Sequence, residues 1–225
     1  MFDARLQPLL QRGFAPLAAM LASRGVTADA VTVAGFAVGV GAALAVGLGA
    51  TGLGLVLLLV NRWADGLDGA LARQVGPTER GAFLDIALDF AVYALFPLGF
   101  AFADPGRNAL AAAVLIASFI GTGSSFLAFS AIAAGRAMKA ADFPMKGLYY
   151  LGGLTEGMET ILVFAAMGLW PAEFAAIAWV FAGLCGITTI TRWRQGWIAF
   201  SAAGSGGMPV VASVKRDNRP GCSGF

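Results

Sequence analysis

Long apolar segments separated by short polar turns make up most of this chain. Several of them reach about 20 residues, the length that an α-helix needs to cross a bilayer. Of the 225 residues, 58% are hydrophobic and only 12% are charged, which is too apolar a composition for an ordinary soluble domain. The sequence therefore predicts an all-α integral membrane protein with a single helical domain.

Turn residues, mainly Gly and Pro, divide the apolar part of the chain into six predicted transmembrane helices. The predicted spans lie at residues 27–50, 53–73, 81–103, 108–134, 147–169 and 173–191. We expect these helices to form one six-helix bundle over residues 25–200. The tail at residues 201–225 is rich in Gly and Ser and is predicted to be disordered.

Residues 1–24 predict a different kind of helix. Phe2, Leu6 and further apolar residues recur at roughly helical spacing and are punctuated by arginines. This pattern is typical of an amphipathic helix that lies in the membrane interface. Pro8 and Pro16 predict that the helix is bent or in two pieces. A signal peptide is excluded because no continuous apolar core follows the early charges.

Positive charge is distributed unevenly over the predicted loops. Of the 15 Lys and Arg residues, all but Arg107 fall on or near the side that carries both termini. By the positive-inside rule this side, including the tail, is cytoplasmic, in what we expect to be a bacterial inner membrane. The basic residues are expected to face anionic lipid, and we predict no nucleic-acid partner.

The chain contains no histidine. This excludes histidine-based catalytic triads, metal sites and proton shuttles, so a general base must be a carboxylate, Lys, Tyr or Cys. Cys185 and Cys222 form no metal-binding pattern, and Cys185 is predicted to be a core residue. The aspartates are therefore the main candidates for chemistry.

Four aspartates lie among the apolar residues, at positions 65, 68, 85 and 89. A charged group at a bilayer centre costs about 2.5–3.5 kcal/mol, so a positive partner must neutralise the cluster. Asp65 and Asp68 share one face of a helix, and Asp85 and Asp89 share one face of the next. Residues 74–80 predict a turn between them. The two faces can meet across this hairpin, where carboxylate oxygens suit a pair of Mg²⁺ or Mn²⁺ ions.

The spacing of this acidic hairpin resembles the signature of the CDP-alcohol phosphotransferases, or phosphatidyltransferases. Their pattern D-x2-D-G-x2-A-R-x7-G-x3-D-x3-D is filled at every fixed position. These positions are Asp65, Asp68, Gly69, Ala72, Arg73, Gly81, Asp85 and Asp89. Upstream, Asp29, Val31, Thr32 and Gly35 are similar to the family's first-helix element, with Ala28 where the family usually has proline.

The resemblance implies transfer of a phosphatidyl group from a CDP-linked lipid, usually CDP-diacylglycerol, to an alcohol, with release of CMP. Carried over by position, all four aspartates would hold two divalent ions, and Asp89 would also deprotonate the acceptor hydroxyl. The implied nucleotide-binding residues are Thr32, Asp68, Gly69, Ala72, Arg73 and Gly81. The family often dimerises through helices 3 and 4, so a homodimer is a further hypothesis.

The acceptor is less well defined by the sequence. Branches of the family specific for glycerol-3-phosphate or serine carry G-K-x-K-T or G-L-P-x-P stretches, and this chain has neither. Glu156 and Glu159 either orient the acceptor or pair structurally, for example with Arg62. Arg136 and Lys139 either bind a phosphorylated acceptor or only reflect topology. Glycerol-3-phosphate is our hypothesis for the acceptor.

Two other classes of function stay open at this point. A cation-coupled transporter could use a buried acidic cluster, although cation transport needs no nucleotide-shaped gap such as the G-x2-A-R element suggests. A catalytically silent family member that acts as a partner subunit is the third class, and the complete aspartate set argues against it.

Overall fold

The computed structural model describes residues 3–135 and 155–201, with side chains from residue 13 onward. All regular secondary structure in these ranges is helical, which confirms the all-α class for this part of the chain. The α-helices are α1 (Asp3–Ser23), α2 (Ala28–Gly47), α3 (Thr51–Val75), α4 (Glu79–Ala103), α5 (Pro105–Gly135), α6 (Gly157–Leu169) and α7 (Phe174–Ser201). A short 3₁₀ turn, Pro171–Glu173, leads into α7.

Four of the described helices are long and apolar enough to cross a membrane, namely α2, α4, α5 and α7 together with its preceding turn. α3 has the same length of 25 residues as α4, but it carries Arg62, Asp65 and Asp68 among its apolar residues. α6 has 13 described residues, and its predicted start near residue 147 lies outside the described ranges. Among the described residues, four helices are therefore supported as membrane spans, where the sequence predicted six.

α1 is one continuous helix that packs against α3. Of the two outcomes predicted for Pro8 and Pro16, a break into two pieces does not occur. The ring of Phe14 lies edge-on to Trp63 of α3, with centroids 5.5 Å apart. A Cβ on Gly66 would lie 2.7 Å from the same ring. α1 therefore packs along α3, the helix that carries Asp65 and Asp68.

α2 packs against both α3 and α4, and small residues allow the helices to approach closely. A Cβ on Gly99 of α4 would lie 2.5 Å from the carbonyl oxygen of Ala43 on α2. Aromatic residues fill the centre of the bundle. The rings of Phe100 and Phe174 stack with centroids 4.4 Å apart and so join α4 to α7.

A short loop joins α3 to α4. α3 ends at Val75, and Gly76 follows with a φ of 100°, which glycine adopts without steric cost. Thr78 caps α4, because its side chain accepts a hydrogen bond from the N–H of Gly81 at 3.0 Å. Only Gly76–Thr78 separate the two helices, so the turn predicted at residues 74–80 is confirmed.

The last helix extends beyond residue 191, where we predicted its end, and reaches Ser201. Buried Arg192 donates a hydrogen bond from Nη1 to the carbonyl oxygen of Thr122 on α5, at 3.0 Å. Further along, the rings of Phe129 and Phe200 lie 5.0 Å apart. These contacts with α5 keep the additional turns of α7 helical.

We expect Gly99→Ala to destabilise the protein. The new methyl group would meet the backbone oxygen of Ala43, which cannot yield without a shift of α2, and overpacking of this kind costs about 1–3 kcal/mol. Thermal unfolding of the purified protein in detergent measures the effect. Gly183→Ala on α7 is the matched control, because no described atom lies within 4 Å of its Cβ position. An equal loss of stability in both variants would contradict the prediction.

Candidate metal centre

Three carboxylates from the two arms of the hairpin converge. Asp65 and Asp68 lie on α3 and Asp85 lies on α4, and one oxygen from each lies within 4.8 Å of the others. Asp68 is buried, with 5% of its surface exposed, and the other two are half-buried. Charged oxygen ligands at this spacing fit a Mg²⁺ or Mn²⁺ ion. The donor set therefore matches the predicted divalent metal.

A hydroxyl group from α2 orients the buried carboxylate. Thr32 Oγ1 donates a hydrogen bond to Asp68 Oδ2 at 2.6 Å. Thr32 lies near the start of α2, where Thr27 caps the helix by accepting a hydrogen bond from the N–H of Ala30 at 3.2 Å. Such donors fix the orientation of metal-binding groups. Thr32 was predicted to contact the nucleotide, and the structure places it in contact with the candidate metal ligands.

Asp89 lines the same cavity as Asp65 and Asp68 but lies outside the group of three. Its Oδ1 accepts a hydrogen bond from Nη2 of Arg62 at 2.7 Å. Nη1 of Arg62 lies 4.0 Å from Asp65 Oδ2. Three of the four predicted ligands thus form a cluster, and the fourth, Asp89, pairs with Arg62. The roles of Asp89 as ligand and base stay predictions.

Arg62 is a site residue whose partners differ from those that the sequence suggested as one alternative. We considered a pairing with Glu156 or Glu159, whereas its ionic contacts are with Asp89 and Asp65. One signal was available, because Arg62 precedes Asp65 by three residues and so shares its helix face. The approach of Asp89 from α4 is a tertiary contact that this spacing does not reveal.

The predicted nucleotide-binding residues other than Thr32 and Asp68 lie where α3 ends and α4 begins. Nη1 of Arg73 lies 3.4 Å from the position that a Cβ on Gly69 would take. A Cβ on Gly81 would lie 3.0 Å from Asp29 Oδ1, and Asp29 pairs with the exposed Arg80 at 2.5 Å. Small residues and the arginines Arg73 and Arg80 therefore lie at the junction of α3 and α4, which we call the rim of the candidate metal centre.

The predicted acceptor residues are described only in part. Glu156 is the N-cap residue of α6 and Glu159 lies in its first turn, and both are half-buried. Arg136 and Lys139 lie outside the described residues. The cavity beside the aspartates is lined from α2, α3 and α4, so the two glutamates of α6 are not among its lining residues.

Solved structures share this fold. Phosphatidylinositol phosphate synthase PgsA1 of Mycobacterium tuberculosis with CDP-DAG bound has a TM-score of 0.67 and 26% identity, over 83% of this chain and 94% of that one. The same enzyme in complex with manganese and citrate has a TM-score of 0.62 and 27% identity, over 82% of this chain and 88% of that one.

Sequence relatives point the same way, although no family model matches the chain. A phosphatidylinositol phosphate synthase of Streptomyces avermitilis is 37% identical over 120 residues, which cover 52% of this chain and 49% of that protein. The chain is thus homologous in sequence to a phosphatidylinositol phosphate synthase and matches PgsA1 in fold, as the resemblance to the CDP-alcohol phosphotransferases implies. It is also 48% identical to the inner membrane protein YnjF of Escherichia coli K12 over 202 residues, 90% of this chain and 98% of that protein.

We expect Asp85→Asn to weaken Mn²⁺ binding by at least about tenfold. Loss of a group that merely supports a metal ligand already costs about 10–100-fold in affinity, and this change removes a charged oxygen from the cluster. Electron paramagnetic resonance of free Mn²⁺ during a titration measures the affinity.

Asp104→Asn is the matched control for this titration. Asp104 Oδ1 accepts a hydrogen bond from the N–H of Arg107 at 3.2 Å at the opposite end of α4, and asparagine serves equally well in such a position. Mn²⁺ affinity that is unchanged in Asp85→Asn would show that this residue is no ligand.

Proposed function

We propose that this chain transfers the phosphatidyl group of CDP-diacylglycerol to an alcohol acceptor and releases CMP, as a step of phospholipid biosynthesis. The observation that carries the proposal is the cluster of Asp65, Asp68 and Asp85, beside a cavity that Asp89 also lines. Relatives named as phosphatidylinositol phosphate synthases, one of them solved with CDP-DAG bound, support the same reaction class.

In this reaction the acceptor oxygen bonds to the phosphorus that carries the lipid, and the bond from that phosphorus to the bridging oxygen breaks. Divalent ions at the carboxylates would neutralise the charge that develops on the departing CMP. Asp65, Asp68 and Asp85 would hold these ions, with Asp89 as a further ligand. Thr32 keeps the carboxylate of Asp68 oriented. Asp89 accepts the proton of the acceptor hydroxyl.

The nucleotide would lie against the rim at the end of α3. Small residues there permit close approach of ligand and backbone, and Arg73 offers the planar donors that suit phosphate. The proposed nucleotide contacts are Thr32, Asp68, Gly69, Ala72, Arg73 and Gly81. This arrangement would place the diphosphate next to the three clustered carboxylates.

We further propose that the rim opens to the cytoplasm. The exposed arginines Arg24, Arg73 and Arg80 lie at helix ends on this side, and basic residues favour the cytoplasmic face. The name of the relative YnjF as an inner membrane protein supports the same membrane. CMP and a soluble acceptor would then exchange directly with the cytoplasm.

For the acceptor we propose glycerol-3-phosphate, with a phosphorylated inositol as second candidate because of the names of the relatives. Glu156 and Glu159 would orient its hydroxyl groups, and Arg136 and Lys139 would bind its phosphate. Cation transport, the alternative function of a buried acidic cluster, is not favoured, because every solved relative named above is a synthase.

The first test is CMP release by the purified protein with CDP-diacylglycerol, Mg²⁺ or Mn²⁺, and a panel of acceptors. The panel contains glycerol-3-phosphate, inositol phosphate, serine, choline and glycerol. Release that depends on one acceptor supports the proposal and identifies the substrate. Failure to bind CDP-diacylglycerol, combined with cation flux in vesicles, would overturn it in favour of transport.

We expect Asp89→Asn to lower kcat by about 10²–10⁴-fold, the usual contribution of a general base. Asparagine retains the oxygen that accepts the hydrogen bond of Arg62, so the fold and CDP-diacylglycerol binding should persist. Single-turnover CMP release and equilibrium binding of the lipid nucleotide provide the two measurements. A variant that turns over at a near-normal rate would exclude Asp89 as the base.

We expect Glu156→Gln and Glu159→Gln each to raise the acceptor KM about tenfold. A change of this size corresponds to the loss of one hydrogen bond to a charged group. The KM for CDP-diacylglycerol should stay unchanged. Glu173→Gln is the control, because Glu173 is exposed in the turn before α7. A lower melting temperature with an unchanged acceptor KM would assign the two glutamates a structural role.

A further inference from the structure

A largely buried arginine lies between Asp89 and the cluster of three carboxylates. The side chain of Arg62 is 12% exposed, and its guanidinium bonds to Asp89 at 2.7 Å and lies 4.0 Å from Asp65. Asp65 also belongs to the cluster of three carboxylates. Arg62 therefore contributes a fixed positive charge beside the carboxylates that are proposed to bind metal.

Contacts outside the aspartates hold this arginine in place. Its Nε donates to Asn61 Oδ1 at 2.9 Å, and Asn61 Nδ2 donates to the carbonyl oxygen of Gly35 on α2 at 2.8 Å. Its guanidinium carbon lies 5.4 Å from the centre of the Tyr93 ring. A Cβ on Gly39 would lie 3.2 Å from Asn61 Nδ2, so glycine leaves room for this amide. The packing around Arg62 orients it before any ligand binds.

A divalent ion at Asp89 must compete with this guanidinium. Asp89 Oδ1 already receives a short, charge-assisted hydrogen bond, and two cations that share neighbouring carboxylates repel each other strongly in a weakly polar surrounding. An ion held by Asp65, Asp68 and Asp85 does not require the bond between Arg62 and Asp89 to break. Arg62 also lies 4.0 Å from Asp65 and so opposes an ion at the cluster of three. Only an ion at Asp89, however, has to displace the short hydrogen bond of Arg62.

We propose that Arg62 is an internal cation that occupies Asp89 in the resting protein and makes metal loading sequential. The first ion binds the three clustered carboxylates, and a second ion engages Asp89 only by displacing Arg62. This inference rests on the proposed function, because the diphosphate of a bound CDP-lipid supplies the negative charge that favours a second cation. Arg62 is thus a positioning residue that keeps Asp89 oriented until the substrate arrives.

The test is a Mn²⁺ titration of the full chain in detergent, followed by electron paramagnetic resonance, with and without CDP. The unaltered protein should bind one ion at least about tenfold more tightly than the second, and CDP should tighten the second. In Arg62→Gln the second ion should bind about tenfold more tightly, and the first should gain only a few-fold, because Arg62 lies farther from Asp65 than from Asp89; changes of this size are typical for groups next to metal ligands. An unchanged or weaker second site in Arg62→Gln would overturn the proposal, as would an equal shift at both sites.

Two further variants keep the proposal testable if Arg62→Gln does not fold. Arg62 bonds to Asn61 and Asp89 through two different nitrogens of its planar fork. Arg62→Lys retains the charge but replaces this fork with one ammonium on a flexible stem, so the second ion should bind a few-fold more tightly. In an Asp89→Asn background, Arg62→Lys should have no such effect, because the competition is for Asp89. Tightening that persists without the Asp89 carboxylate would contradict the proposed competition.

The titration needs no turnover and so separates this inference from the proposed function. Sequential Mn²⁺ binding without CMP release on any acceptor would support the internal cation and count against the transferase. CMP release by a protein whose two ions bind with equal affinity would support the transferase and exclude the role of Arg62.

Discussion

Repulsion between carboxylates in an apolar surrounding is the constraint to which this structure responds. Unpaired charges are costly in such a medium, and four aspartates stand on two neighbouring helices. In the described structure Arg62 balances the charge of Asp89, and Thr32 donates a hydrogen bond to Asp68. These donors reach the carboxylates only because α2, α3 and α4 lie close together. The close packing of these helices therefore determines the electrostatics of the site.

The helix α2 contributes more to the site than its sequence suggests. It supplies the Thr32 hydroxyl and, through the carbonyl oxygen of Gly35, the acceptor that fixes Asn61. Asn61 in turn accepts the hydrogen bond that orients Arg62. The acidic motif occupies two helices, but the arrangement of charge around it depends on three. The residues before the motif thus determine how its carboxylates are paired.

Spacing along the chain predicted the hairpin, its turn and the convergence of its acidic faces, because side chains three and four residues apart share a helix face whatever surrounds them. It could not predict that Asp65, Asp68 and Asp85 cluster while Asp89 stands apart, since this depends on the rotation of α4 relative to α3. The contact of Arg62 with Asp89 could not be predicted for the same reason. The predicted end of α7 was too early because the buried contact of Arg192 with α5 is tertiary.

The three-residue loop between α3 and α4 has a consequence for how such proteins diverge. Closing a short loop costs little chain entropy, so the acidic hairpin is a local unit whose geometry depends mainly on the chain from α2 to α4. The helices α5 to α7 follow it in the chain and contribute no residue to the lining of the cavity. Substitutions in these helices can change the proposed acceptor residues without altering the residues of the hairpin. A change of acceptor could therefore arise in the second part of the chain while the chemistry of the acidic hairpin stays the same.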